Sequence, residues 1–476
     1  MKPKLNEDWL AVCLGLLLFA LSCAAFFNVD ALGWAVTTAV WISPVKMLSP
    51  AAKSFAAIGG WGALAATFVF LLALMSIGAV ALRLKVWRFI KGFTVVFAAS
   101  YFSWMLGSWA YIAATPDKRP AYHIGWSLNL TNEAGYIVAL LLGLFVGNFL
   151  PVAAAKMKEA IRPELYIKTA IVILGGFLGV TAAEQLGLAT SVMFRGVCAI
   201  IEAYLIYWAV VYYIARRYFR FSREWAAPLA SGISICGVSA AIATGSAIRA
   251  RPVVPVMVSS LVVIFAVMEL ILLPFLAQTF LSHQPMVAGA WMGLAVKTDG
   301  AAVTSGAVAE SLIRAKALAD YGVRYKAGWI MGVTTTVKVF IDVFIGIWAF
   351  ILAWIWSAKI DPQRGEKVKA IEIWQRFPKF VLGYLTTFAV VLAIGLTAPS
   401  MVSKAKAAMA QANVFRGIFF VMTFFTIGVV SNFRKLWQEG IGRLALIYVL
   451  CLFGFIIWIG LAISWVFFHG VTPPLA

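Results

Sequence analysis

Charged residues are scarce in this sequence, since Asp, Glu, Lys and Arg make up only 12% of its 476 positions, whereas 63% are hydrophobic. A soluble fold of this length cannot cover so much apolar surface with polar groups, so the composition excludes a soluble globular protein. No stretch of the chain stands out as a separate soluble domain. We therefore predict an all-α polytopic membrane protein whose main surroundings are the lipid bilayer.

The motifs of several enzyme and pump classes are also missing. The three histidines, His123, His283 and His469, lie in scattered loops and form no His-Glu-x-x-His cluster, which disfavours a metal hydrolase. There is no Gly-x4-Gly-Lys-Ser/Thr phosphate loop, so ATP-driven transport is unsupported. The five cysteines show no Cys-x-x-Cys spacing and are expected to be reduced packing residues. We expect a protein that is not an enzyme and that needs neither a metal nor a cofactor.

Acidic residues are outnumbered by basic ones, which gives a formal net charge of +20. The Lys and Arg residues lie in short loops between apolar runs, where they set membrane orientation and do not indicate a nucleic-acid partner. A multi-pass protein of the cell's inner membrane with a cytoplasmic N-terminus is the prediction. The basic loops assigned to the cytoplasm are 83–91, 156–162, 216–223, 359–379 and 434–443. The basic loop Arg314–Lys326 is the exception, because it is predicted on the outer side.

Eleven apolar runs are long enough to approach the roughly 20 residues that a membrane crossing needs. They are residues 9–27, 60–82, 93–114, 135–150, 167–181, 195–214, 253–280, 328–356, 380–396, 416–432 and 444–468. Two further stretches, 226–251 and 288–311, are rich in Gly, Ala, Ser and Thr. The chain has about 13 crossings if both stretches cross and about 11 if both re-enter. Because crossing would place Arg249 and Arg251 outside, re-entry is slightly favoured.

The two small-residue stretches are the predicted substrate site. Paired interrupted helices at membrane depth are typical of inverted-repeat secondary transporters, and small residues let two backbones approach closely. Hydroxyl groups and helix N-termini would donate hydrogen bonds to an anion without the cost of a full charge. The candidate binding residues are Ser234, Gly237, Ser239 and Thr244 in the first stretch and Lys297, Thr298, Thr304 and Ser305 in the second. The alternative is that both stretches are closely packed helices without a ligand.

Ionisable residues inside apolar segments are costly, at least about 2.5–3.5 kcal/mol each, so they are functional candidates. Lys338 and Asp342 are four residues apart and share a helix face, where they either form an internal salt bridge or help to hold an anion. Asp299, Asp342 and Glu202 are predicted to couple transport to protons or sodium. Glu202 and Glu269 are proton-relay candidates or neutral buried acids. The full set of candidates is Glu202, Glu269, Lys297, Asp299, Glu310, Lys338 and Asp342.

Four segments resemble the sulfate exporter family of YeiH-like transporters. They are GYIVALLLGLFVGNFLP from Gly135, IKTAIVILGGFLGV from Ile167, GISICGVSAAIATGSAIRA from Gly232 and GAWMGLAVKTDGAAVTSGAV from Gly289. The most specific signature is Ser234–Ala241, and the resemblance covers about residues 134–470. It divides the chain into extra N-terminal helices, 1–133, and a transporter core, 134–476. The family usually carries Ile-His-Asp where this chain has a Lys at position 297 and no His, so the substrate or coupling ion can differ.

The resemblance and the residues together predict a secondary transporter that exports a small oxyanion, sulfate or sulfite, with a proton or sodium gradient. One alternative uses the same machinery for bicarbonate or a small organic anion. Another is a cation/proton antiporter in which Asp299 and Asp342 carry the ion. Elevator-type carriers are often dimers, and this analogy from fold alone leaves a homodimer open.

Overall fold

The computed structural model describes residues 6–115, 118–128, 130–131, 134–251, 253–360, 374, 377–431 and 442–476. The first ten helices are α1 Glu7–Cys23, α2 Gly59–Ala81, α3 Val86–Gly107, α4 Ala110–Ala113, α5 Ala134–Phe149, α6 Pro151–Met157, α7 Pro163–Glu184, α8 Leu186–Gly196, α9 Cys198–Ile200 and α10 Trp208–Arg217. The next seven are α11 Arg223–Ser234, α12 Val238–Ala247, α13 Val253–Phe280, α14 Pro285–Ala295, α15 Asp299–Tyr321, α16 Trp329–Val343 and α17 Ile345–Ile355. The last four are α18 Phe380–Thr397, α19 Val402–Val430, α20 Gly442–Cys451 and α21 Ile457–Phe468.

Short irregular elements join these helices. Strands β1 (Val36–Thr38) and β2 (Leu48–Pro50) pair antiparallel in the connection between α1 and α2. A π-helical turn, Ile201–Tyr207, joins α9 to α10, and a second one, Leu452–Ile456, joins α20 to α21. Each π turn widens the helix by one residue per turn, a feature that occurs often at functional sites.

Within the residues that the structure describes, ten helical segments are long and apolar enough to cross a membrane. An eleventh segment is formed by α5 and α6, which meet at an angle of 111°. The result confirms the predicted all-α polytopic membrane fold. The ten are Glu7–Phe27, Lys53–Ala81, Val86–Gly107, Pro163–Glu184, Leu186–Arg217, Val253–Phe280, Trp329–Ile360, Phe380–Thr397, Pro399–Val430 and Gly442–Phe468.

The first small-residue stretch folds as a helical hairpin, which we name hairpin 1 (residues 223–251). Its helices α11 and α12 pack against each other. The two ends of the hairpin lie together, because Glu224 Oε1 accepts hydrogen bonds from the Arg251 backbone N–H at 2.7 Å and from Arg251 Nε at 3.0 Å. The stretch therefore begins and ends at the same place in the fold, as a re-entrant segment would.

The second stretch forms hairpin 2 (residues 282–321) from α14 and α15. Its ends also meet, since the rings of His283 and Tyr321 have centroids 4.2 Å apart and Ser282 Oγ lies 3.3 Å from Tyr321 Oη. Helix α13 connects the hairpins, and its 28 residues span about 42 Å at 1.5 Å per residue. The bases of the two hairpins therefore lie at opposite ends of α13, an arrangement that fits the predicted inverted repeat.

Both hairpins are interrupted at their tips by short non-helical segments. In hairpin 1 the break includes Gly237, whose φ of +73° is easily reached only by glycine. In hairpin 2 the break is extended at Val296 and Thr298, and Thr298 Oγ1 accepts the Ala301 N–H at 3.2 Å. Thr298 is thus the N-cap that starts α15, a position that threonine favours.

The N-terminal helices brace the bundle through α7, whose Ile167 lies beside Gly300 at the tip of hairpin 2. Helix α1 packs against α7, and Lys168 on α7 forms ion pairs with Asp8 at 2.7 Å and Glu164 at 3.3 Å. The division between residues 1–133 and 134–476 stays a prediction, as does the cytoplasmic N-terminus. The predicted basic loops 359–379 and 434–443 lie largely outside the described residues.

Re-entry of both hairpins can be tested by cysteine labelling from each side of the membrane. In a variant without the five native cysteines, we expect a membrane-impermeant maleimide to label one pair of sites from one side and the other pair from the opposite side. The first pair is Ser222→Cys and Arg249→Cys, and the second is His283→Cys and Asp320→Cys; all four positions are exposed. Labelling of the members of a pair from different sides would mean that the stretch crosses the bilayer.

Candidate functional site

The tips of the two hairpins touch each other inside the bundle. A Cβ atom at Gly237 would lie 3.2 Å from the Lys297 carbonyl oxygen and 3.3 Å from Thr298 Cγ2. Only a residue without a side chain leaves room for this approach. The predicted small-residue signature therefore brings the two breaks together, which is the geometry that a shared site between inverted repeats needs.

Lys338 on α16 ties both tips together. The side chain is buried, and Nζ donates hydrogen bonds to the carbonyls of Ile235 at 3.0 Å, Lys297 at 3.2 Å and Val296 at 3.4 Å. These carbonyls follow the C-terminal ends of α11 and α14, where the helix dipoles place negative charge. The ammonium thus compensates the ends of both helices, and at the end of α14 the Lys297 ammonium also donates to the Leu294 carbonyl.

A pair of buried acids lies beside this ammonium. Asp299 is the first residue of α15, where the helix dipole favours a carboxylate, and its Oδ1 lies 3.8 Å from Lys338 Nζ. The structure therefore pairs Lys338 with Asp299 and not with Asp342, the partner that the i,i+4 spacing predicts. A carboxylate oxygen from each acid and Cys236 Sγ all lie within 4.8 Å of one another. Asp299 Oδ1 and Asp342 Oδ1 have no hydrogen-bond partner among the described residues.

Two serine hydroxyls near the breaks are also unsatisfied. Ser234, at the end of α11, and Ser305, in the second turn of α15, are buried, and neither Oγ has a hydrogen-bond partner in the described part of the chain. Gly237 is the N-cap of helix α12 and supplies no side-chain cap, and Ser239 in the first turn of α12 is half-buried. Free hydroxyls and uncapped N–H groups are the donors that an oxyanion accepts.

Three other predicted binding residues have hydroxyls with partners inside the protein. Thr244 donates to Ser231 Oγ at 2.6 Å, which links α12 to α11. Thr304 donates to the Gly300 carbonyl at 2.7 Å within its own helix, and Thr298 is the N-cap described above. Their substrate-binding roles stay predictions, and an anion would have to compete with these bonds.

Lys297 has its side chain in a different place from Lys338. Its Nζ donates to the Leu294 carbonyl and lies 4.4 Å from the centroid of the Tyr207 ring. Its backbone N–H donates to Glu269 Oε2 at 2.8 Å. Glu202 is also fully buried, and neither of its carboxylate oxygens has a hydrogen-bond partner among the described residues.

Glu310 has a structural position in spite of its burial. Its carboxylate accepts the backbone N–H groups of Gly328 at 2.7 Å, Ile330 at 2.9 Å and Met331 at 3.1 Å. It therefore caps the N-terminus of α16, where a negative charge is stabilised by the helix dipole.

Two residues beside the candidate site, Cys236 and Tyr207, were not predicted to belong to it. In the sequence, neither can be distinguished from an ordinary packing residue of its segment.

Comparisons with known proteins support the prediction that this chain is a membrane protein. A family described as conserved hypothetical protein 698 matches residues 121–447. A UPF0324 membrane protein from Nitrosomonas europaea is 41% identical over 474 residues, which cover 99% of this chain and 97% of the relative. An uncharacterized protein from Archaeoglobus fulgidus is 49% identical over 164 residues, or 30% of this chain and 88% of the relative. A UPF0324 membrane protein from Nitratidesulfovibrio vulgaris is 28% identical over 406 residues, or 82% of this chain and 61% of the relative.

No solved structure is significantly similar to this chain. The names of the three relatives state no substrate, so sulfate export stays a prediction.

Proposed function

This chain belongs to the conserved hypothetical protein 698 family, which includes UPF0324 membrane proteins, and we propose that it is a secondary active transporter of a small inorganic oxyanion. Sulfate and sulfite are the proposed substrates, and a proton gradient or a sodium gradient drives the transport. The observation that carries the proposal is the contact between two oppositely directed broken hairpins around Lys338. Alternating access about such a contact exposes one site to each side of the membrane in turn.

The chemistry of the tips favours an anion as the substrate. Hydrogen-bond donors that have no acceptor within the described protein lie at Ser234, Ser305 and the uncapped N-terminus of α12. Lys338 adds positive charge beside them. A doubly charged oxyanion would gain charge-assisted hydrogen bonds from such donors, which are roughly twice as strong as neutral ones.

The two acids next to Lys338 are suited to ion coupling. Asp299 and Asp342 together carry two negative charges if both are ionised, and Lys338 compensates one of them. Uptake of a proton at this pair removes the remaining charge and makes the entry of an anion less costly. Release of the proton on the other side then favours release of the anion.

A cation/proton antiporter is the second candidate function. The close grouping of Cys236, Asp299 and Asp342 favours it, because converging carboxylates bind cations. In this alternative Lys338 holds only the helix ends, and the unsatisfied hydroxyls of the tips have no ligand.

Flux measurements separate the two functions. In liposomes that contain the purified protein, we expect saturable uptake of labelled sulfate or sulfite driven by a pH or sodium gradient. Asp299→Asn and Asp342→Asn are expected to abolish the gradient-driven accumulation while exchange of labelled for unlabelled anion persists. Asp320→Asn is the matched control, because Asp320 is exposed at the end of α15. Sodium/proton exchange without anion flux would replace the proposal with the antiporter.

A further inference from the structure

A second cluster of buried ionisable side chains lies beside the tip of hairpin 2. It consists of Glu202 in the first π turn, Glu269 in the middle of α13 and Lys297 in the break of hairpin 2. The relative exposure of all three residues is 0%. The proposed function assigns no role to Glu269 and uses none of the contacts within this cluster.

The charges in the cluster are not compensated by direct ion pairs. Both carboxylate oxygens of Glu202 and Oε1 of Glu269 lack hydrogen-bond partners among the described residues. The Lys297 ammonium is satisfied by the Leu294 carbonyl and the Tyr207 ring, and within the described chain no carboxylate lies within 4.0 Å of it. An ionised acid in such surroundings is costly, whereas a bound proton removes the charge. The arrangement therefore favours acids that carry protons.

One residue of the tip connects this cluster with the proposed substrate site. The Lys297 N–H donates to Glu269 Oε2 at 2.8 Å, and the Lys297 carbonyl accepts from Lys338 Nζ at 3.2 Å. An ionised Glu269 would accept the N–H in a charge-assisted bond, and a protonated Glu269 in a weaker one. The protonation of Glu269 consequently changes how firmly the tip of hairpin 2 is held.

The cluster lies against the last helix, α21. Tyr207 donates to the Ile456 carbonyl at 2.7 Å, which joins the first π turn to the second. A Cβ atom at Gly460 would lie 2.6 Å from Tyr207 Oη and 3.3 Å from Glu202 Oε1, so the helix approaches the cluster closely. The titratable groups that face Glu269 are Lys297, Lys338 and Tyr448, and those that face Glu202 are Lys297, Tyr207 and Cys198.

We propose that Glu269, together with Glu202 and Lys297, is a proton-binding site that couples proton transfer to the movement of the hairpin 2 tip. The inference rests on the proposed function, since it names the proton as a coupling ion of that transporter. Proton release from Glu269 strengthens its hold on the Lys297 N–H, and proton binding loosens it. The tip then moves between two positions according to which side of the membrane last exchanged a proton with the cluster.

The test combines infrared spectroscopy with transport in the full-length reconstituted protein. Infrared difference spectra after a pH step report the C=O stretch of protonated carboxyl groups without any substrate. We expect part of this signal to disappear in Glu269→Gln and Glu202→Gln and to persist in Glu184→Gln. Glu184 is the control because it forms surface ion pairs with Lys326 and Lys406. Gln at position 269 keeps an acceptor for the Lys297 N–H.

The transport arm uses labelled sulfate as the probe. We expect Glu269→Gln to lose proton-driven accumulation, down to the level reached without a gradient, while counterflow of sulfate stays measurable. Intact proton-driven accumulation or an unchanged infrared signal in Glu269→Gln would overturn the inference. If the unsubstituted protein shows no sulfate counterflow, the proposed substrate fails, and the infrared arm alone decides whether the cluster binds protons.

Discussion

Lys338→Ala is expected to abolish gradient-driven anion flux and to lower the free energy of unfolding by about 3–5 kcal/mol. The reason is that the ammonium is the shared partner of three carbonyls and of Asp299 in a fully buried position. Its removal takes the adjacent positive charge away from Asp299 and leaves the Ile235, Val296 and Lys297 carbonyls without this donor. Flux in liposomes and thermal unfolding in detergent measure the two effects.

Two further substitutions show whether the position or merely the charge matters. Lys316→Ala is the matched control, because Lys316 Nζ also donates to a helix-end carbonyl, that of Gln278 at 3.2 Å, but near the surface. It is expected to cost no more than about 1 kcal/mol and to keep flux. Lys338→Arg keeps the charge in a larger group and should retain part of the stability. Normal stability and flux in Lys338→Ala would contradict the role given to this residue.

The positions of the hairpin breaks are predictable from sequence because their composition differs so much from that of the surrounding apolar helices. Local rules account for both breaks. Gly237 has a positive φ, which glycine adopts easily, and Thr298 is the N-cap of α15. Composition does not predict whether a stretch re-enters or crosses the membrane. Every other loop lies on the same side of the membrane whether both stretches re-enter or both cross. The contacts that decide it, Glu224 with Arg251 and His283 with Tyr321, join residues far apart in sequence.

The roles of individual charges were less predictable than their presence. Lys297 and Lys338 both lie near polar residues in the sequence, yet only Lys338 places its ammonium between the tips. The direction of the Lys297 side chain follows from the extended backbone of the break, which no periodicity rule describes. Glu310 is similar, because its capping partners start at Gly328, beyond the end of its own helix. Such partners are visible only once the chain is folded.

Gly237→Ala is expected to disrupt the contact between the hairpins at a cost of a few kcal/mol. A non-glycine residue at a φ of +73° costs about 1–2 kcal/mol. The added methyl group would also lie 2.5 Å from Val262 Cγ1 on α13 and 3.2 Å from the Lys297 carbonyl oxygen, so the tip of hairpin 1 has to shift against α13 and against hairpin 2. Overpacking of this kind costs about 1–3 kcal/mol more.

Gly322→Ala separates the backbone cost from the contact. Gly322 has a φ of +67° at the end of α15, and a Cβ atom there would meet nothing within 4 Å among the described residues. We expect both variants to lose stability but only Gly237→Ala to lose transport, because only there does the methyl group displace the Lys297 carbonyl that Lys338 holds. Thermal unfolding and anion flux measured side by side give the comparison. Equal losses in the two variants would mean that strain alone explains the effect and that the tips need not touch for transport.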